Sequence, residues 1–120
     1  MSTRATYQFV HDDGFDITTT TLYVHHDGYP EGAARKYQQA LDTRPHSDLA
    51  LLAEQFIRAN ADAEIVNSHE SQGGTEYRYT VFTVAPETEA AIVAEHHSIG
   101  PDSWATEFEG PLGQFIAKYS

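Results

Sequence analysis

Residues 17–41 read Ile-Thr-Thr-Thr-Thr-Leu-Tyr-Val-His-His-Asp-Gly-Tyr-Pro-Glu-Gly-Ala-Ala-Arg-Lys-Tyr-Gln-Gln-Ala-Leu. Within this stretch the pattern changes from period two to period 3.6. Ile17–His26 is rich in Thr and β-branched residues, which favour a pleated strand. Ile17, Thr19, Thr21, Tyr23 and His25 share one face of it; Thr18, Thr20, Leu22, Val24 and His26 share the other. Asp27-Gly28-Tyr29-Pro30 stops the strand. Gly28 can take positive φ, and Pro30 holds Tyr29 extended while presetting the first helical φ. From about Glu31 to Leu41, Ala33, Ala34, Tyr37, Ala40 and Leu41 recur at spacings of three and four, which predicts a helix. Glu31 sits in its first turn, where the helix dipole favours a carboxylate.

The flanks extend the pattern. Thr6–Val10 alternates, and His11-Asp12-Asp13-Gly14 is a turn signal, so the first two strands read as a hairpin. Thr43-Arg44-Pro45-His46 is a connector. Ser47 is a natural N-cap for a second helix over about Asp48–Ala61, with Leu49, Leu52, Ala53, Phe56 and Ile57 as its core stripe. Glu64–Ser68 is a short strand and Gln72-Gly73-Gly74 a turn. Glu76–Val84 is a strand with Tyr77, Tyr79 and Val81 on one face and Arg78, Thr80 and Phe82 on the other. Pro86-Glu87-Thr88 breaks it. Ala90–His96 is read as a strand pairing with it. After Gly100-Pro101-Asp102, Trp104–Glu109 is a last strand. Leu112, Phe115, Ile116 and Tyr119 mark a terminal helix. The order predicts one α+β domain over residues 1–120. An antiparallel sheet of five to six strands packs against two central helices and a C-terminal one.

Composition bounds the function. The chain has 120 residues, 40% of them hydrophobic, which suits a folded single domain. The formal charge of −11, from 18 acids and 7 bases, argues against direct nucleic-acid binding, which needs clustered Lys and Arg. It also disfavours an anionic membrane surface. No apolar run approaches the roughly 18 residues of a membrane span, and the N-terminus has no signal-peptide pattern. There is no cysteine, so thiolate chemistry and disulfides are excluded. A cytoplasmic protein is expected. Residues 62–120 carry ten acids against two bases, and residues 1–61 eight against five.

No catalytic motif emerges. Seven histidines include His25-His26-Asp27 and Glu95-His96-His97. Neighbouring strand residues face opposite ways, so His25 and His26 cannot chelate one ion together, whereas His25/Asp27 and Glu95/His97 can. Helical metal-ligand spacings, nucleophile elbows and phosphate loops are absent. Packing or surface histidines are the simpler reading, and no metal or cofactor is predicted. Arg78 lies opposite the Tyr77/Tyr79 pair, which reads as sheet packing and not as a base-stacking surface. Glu87/Glu89 and Glu107/Glu109 are i, i+2 pairs that project carboxylates from one face about 6–7 Å apart if extended. Rows at that spacing can imitate a phosphate backbone, and a solvated face accounts for them as simply.

The segment Leu22-Tyr23-Val24-His25-His26-Asp27-Gly28-Tyr29-Pro30-Glu31-Gly32 resembles a stretch of a family of small uncharacterised bacteriophage and prophage proteins. In that family a strand ending Tyr-x-His-x-Asp-Gly-Tyr-Pro leads into a helix. Thr75-Glu76-Tyr77-Arg78-Tyr79 and Phe108-Glu109-Gly110-Pro111-Leu112 are similar to later parts of those proteins. His26 stands where the family has an aromatic residue. The resemblance implies a mobile-element protein of no known activity, and no catalytic residue is carried over from it.

The expectation is a non-enzymatic acidic inhibitor acting in the host cytoplasm. It would mask the basic, nucleic-acid-facing surface of a host defence complex such as a CRISPR effector. Glu87, Glu89, Glu95, Asp102, Glu107 and Glu109 would form the partner-binding surface. Two alternatives stay open: a small metal- or ligand-dependent enzyme using His25, Asp27 and a C-terminal His, and a phage accessory homo-oligomer.

Overall fold

The computed structural model describes residues 3–12, 14–43, 52–69, 75–84, 90–97 and 103–119. Nine elements follow one another in them: β1 (Ala5–Asp12), β2 (Ile17–Val24), α1 (Pro30–Thr43), α2 (Leu52–Ala59), β3 (Glu64–Val66), β4 (Tyr77–Val84), β5 (Ala91–His97), β6 (Trp104–Pro111) and α3 (Leu112–Tyr119). Six strands form one sheet in the order β3-β2-β1-β4-β5-β6. The helices cover one face of it, giving an α+β domain. Its radius of gyration is 13.5 Å, close to the roughly 14 Å expected for this length. The start of the second expected helix, with Ser47 and Leu49, lies outside the described residues, as do the turns at 72–74, 86–88 and 100–102.

The sheet departs from the antiparallel expectation at its centre. β1 pairs with β4 in parallel, with Ala5 opposite Tyr77, Tyr7 opposite Tyr79 and Phe9 opposite Val81. The other four pairings are antiparallel. The N-terminal hairpin and the β4-β5-β6 meander each obey the short-connection rule. They join edge to edge because α1, α2 and β3 carry the chain away and back before β4 begins, and a parallel pair needs such a crossover.

Alternation places Tyr7, Tyr79, Leu22, Val81 and Ile92 under the helices, all at most 1% exposed. The helices answer with Ala33, Ala34, Tyr37 and Ala40 from α1, Phe56 from α2 and Phe115 from α3, all fully buried. The small alanines bring α1 close to its neighbours, and aromatic rings fill the space left. Tyr7 stacks on Tyr79 at 5.2 Å and meets Tyr37 edge-on at 5.9 Å, offset and T-shaped geometries that aromatic quadrupoles favour.

The turn between β2 and α1 explains the Asp-Gly-Tyr-Pro stretch. Asp27 sits at φ 54°, a left-handed conformation that Asp tolerates better than most residues. The Gly28 N–H donates to Thr3 O at 2.9 Å. A Cβ on Gly28 would lie 2.8 Å from the Ala5 Cβ and 2.9 Å from Thr3 O. The Tyr79 hydroxyl donates to Gly28 O at 2.5 Å. Lys36, only 5% exposed, turns its ammonium onto His26 O at 3.2 Å and Asp27 O at 3.0 Å. Asp27 and Gly28 thus each have a structural task in the turn.

Candidate functional site

β2 and β5 end at one edge of the sheet, and β1, β3, β4 and β6 begin there. This end of the sheet gathers carboxylates from four separate stretches: Asp27 and Glu31, Asp62 and Glu64, Glu76, and Glu107. Histidines sit among them. His25 Nε2 is 3.5 Å from a Glu64 oxygen, and His26 Nδ1 is 3.6 Å from one of Asp27. His26 Nε2 also contacts the Asp62 carboxylate. His96 Nδ1 is 3.5 Å from Glu107 Oε1. Glu76 accepts the Arg4 backbone N–H at 2.6 Å.

The charges act on one another. Partial desolvation pushes the Asp62 carboxyl up. The His26 hydrogen bond, its own backbone bond and the His26 and Lys36 charges outweigh that and hold it below the usual range. Burial pushes the Tyr77 phenol up, and Glu107, Glu31 and Glu76 add to the rise. Burial lowers the Lys36 ammonium, partly opposed by Asp27. The Lys36 ammonium turns inward onto the His26 and Asp27 carbonyls, and its single charge offsets only part of the rim's six carboxylates.

The expected acidic face is divided. Glu87, Glu89 and Asp102 lie outside the described residues. Glu95 and Glu109 belong to the sheet's outer face, opposite Thr106 and Val93. Glu107 does not share that face, contrary to the i, i+2 expectation. An irregularity between Ala94 and Glu95 inserts it as an extra residue in β6. It turns to the helix side, where His96 stacks on Tyr77 at 4.8 Å. A bulge puts two consecutive side chains on one side, and the period-two count fails across it.

The expected grouping of His25, Asp27 and a C-terminal His does not form. β1 and β4 stand between β2 and β5, roughly 14 Å at three strand spacings. His97 packs edge-on against Trp104 at 5.1 Å. Among the described residues no group of three His, Asp or Glu is placed to hold a metal.

Sequence reasoning missed His69. It is 8% exposed on the outer face, its Nδ1 2.6 Å from Thr6 Oγ1 and its Nε2 2.9 Å from Thr80 Oγ1. It ties the β1/β4 parallel pair from the side away from the helices. A lone His between polar residues carries no periodic signal. Asp62, Glu64 and Glu76 were missed for a related reason: only the topology collects them. On the helical side, a cleft of about 540 Å³ runs between α1 and α3 past Glu31, Arg35, Gln38 and Tyr119.

Comparison of the chain with protein-family models, with curated proteins and with solved structures returns no match. No helix among the described residues is long and apolar enough to cross a membrane.

Proposed function

We propose that the chain is an acidic protein-binding module that docks on a basic surface of a partner protein. The observation that carries this reading is the carboxylate rim, six acids from four stretches, beside a lysine turned inward onto backbone carbonyls. Glu95 and Glu109 extend the negative field over the neighbouring outer face. Histidines interleave the carboxylates along the rim itself.

The finer reading follows the resemblance to phage proteins. The module inhibits a host nucleic-acid-binding defence complex, of the CRISPR-effector kind, in the host cytoplasm, by occupying the groove meant for phosphate. A field of this kind steers encounter and is screened by salt.

The test is expression in a host whose CRISPR system restricts a phage, with plaque counts as the readout. The chain should restore plating, and Glu31→Lys, Glu64→Lys and Glu107→Lys together should abolish the rescue while the circular dichroism stays native. Capture of the effector from lysate should fall steeply between about 0.1 and 0.5 M salt. Undiminished rescue by the triple variant would refute the electrostatic mechanism.

A further inference from the structure

The sheet end opposite the rim carries a different surface. On the outer face, the register sets Thr19, Val10, Phe82, Ala91 and Pro111 in one row across five strands. Phe82 is 40% exposed, and Ile17, one row nearer the turn, is 67% exposed. Phe15 stands 95% exposed on the turn itself. That turn is shaped by Gly14, at φ 92°, whose N–H donates to Asp12 Oδ1 at 2.9 Å. The row ends in a shallow depression of about 230 Å³ over Ala90, Ala91, Gly110 and Pro111. Burying an exposed Phe or Ile side chain is favourable, so this row holds apolar surface that a partner can cover.

Charge selects the occupant. Asp12, Asp16 and Glu109 fringe the row. The only base in any described strand is Arg78, two rows away, its guanidinium 4.0 Å above the Trp104 ring. A second copy would bring this acidic fringe against its own kind.

We propose that this row is a docking surface for a partner protein presenting an aliphatic or aromatic projection flanked by Lys or Arg. The projection seats between Phe82 and the Ala91/Pro111 depression, and its cations meet Asp12, Asp16 and Glu109. The proposal rests on the reading of the chain as a binder of basic partners and adds the contact that holds the complex. Carboxylates speed the approach, and buried apolar area slows the departure.

The probe is a synthetic amphipathic helix of lysine and leucine, set against a sibling with every leucine replaced by serine. Both are titrated into the full chain by calorimetry and amide NMR. The leucine peptide should bind about tenfold tighter than the serine one, equivalent to about 1.4 kcal/mol. Its shifts should centre on Ile17, Phe82 and Ala91. Ile17→Thr with Phe82→Thr keeps strand preference and should erase the tenfold advantage while leaving weak, salt-sensitive binding of both peptides. Phe15→Ser, outside any strand, should reduce the advantage without touching the sheet. Equal affinity of wild type for the two peptides overturns the proposal, as do shifts confined to the rim. So does concentration-dependent self-association that the Thr variants remove, because a second copy would then own the surface. The charge-reversed triple variant tests the parent reading separately: it should lose the serine peptide, and if it does not, steering fails whatever the leucine peptide does.

Discussion

Gly32 and Gly113 both lie near the start of a helix, and a single methyl group tells them apart. In a helix, Gly→Ala ordinarily gains about 1 kcal/mol. At Gly113 in α3 an added Cβ meets nothing within 4 Å. Gly113→Ala should therefore raise stability by a few tenths to about 1 kcal/mol. At Gly32 in α1 the same Cβ would lie 2.1 Å from Asp27 O. The turn must open, and Gly32→Ala should cost about 1–3 kcal/mol, the range for forced overpacking. Urea unfolding of both variants checks the opposite signs. His26 and Asp62 give a pH test. The folded-state Asp62 carboxyl lies below its unfolded value. The stabilisation is thus complete above the ordinary carboxylate range and is lost as pH falls through the folded value. His26→Ala should cost about 0.2–1 kcal/mol at pH 7, the range of exposed pairs. That difference should shrink as pH falls through and below the carboxylate range, as denaturation across a series of acid pH values would report.

At the scale of elements, α1 meets the sheet through tyrosines with unequal tasks. The Tyr79 hydroxyl caps Gly28 O, whereas the buried Tyr37 hydroxyl has no hydrogen-bond partner among the described residues. Tyr79→Phe leaves a carbonyl unpaired and should cost about 1–3 kcal/mol. Tyr37→Phe should be neutral or slightly stabilising, because it removes a buried group already without a partner. Midpoints of thermal unfolding separate the two. The faces of α1, α3 and β4 were legible because Ala33, Ala34, Tyr37 and Ala40, Leu112, Phe115 and Ile116, and Tyr77, Tyr79 and Val81 follow one period each. The bulge in β6 was not legible. Nothing in Thr106-Glu107-Phe108 interrupts the alternation, and only pairing with β5 reveals the extra residue. Thr106 and Phe108 already hold opposite faces, so deleting Glu107 should restore regular alternation with Trp104 still opposite His97 and beneath Arg78. The emission of this single tryptophan should then stay unchanged, and a shift would show that the pairing had slipped instead.

At the scale of the molecule, two ends of one sheet carry different chemistry: a rim of carboxylates and histidines at one, exposed apolar side chains at the other. Composition announced the acidity but not its location, because the rim draws on residues from 27 to 107 that only the strand order brings together. The choice of β4 as the parallel neighbour of β1 was likewise hidden. Alternation says which face a residue takes but not which strand lies beside it. That pairing has a further consequence during synthesis. Once residues 5–24 have left the ribosome, the β1–β2 hairpin can form, yet the other edge of β1 has no partner until Val84 has been made. For that interval Tyr7 and Phe9 lie along an open strand edge, the kind of template on which nascent chains pair with one another. A fragment stopped after residue 69 should therefore aggregate or pair through β1, while the full chain, released complete, should refold as single molecules.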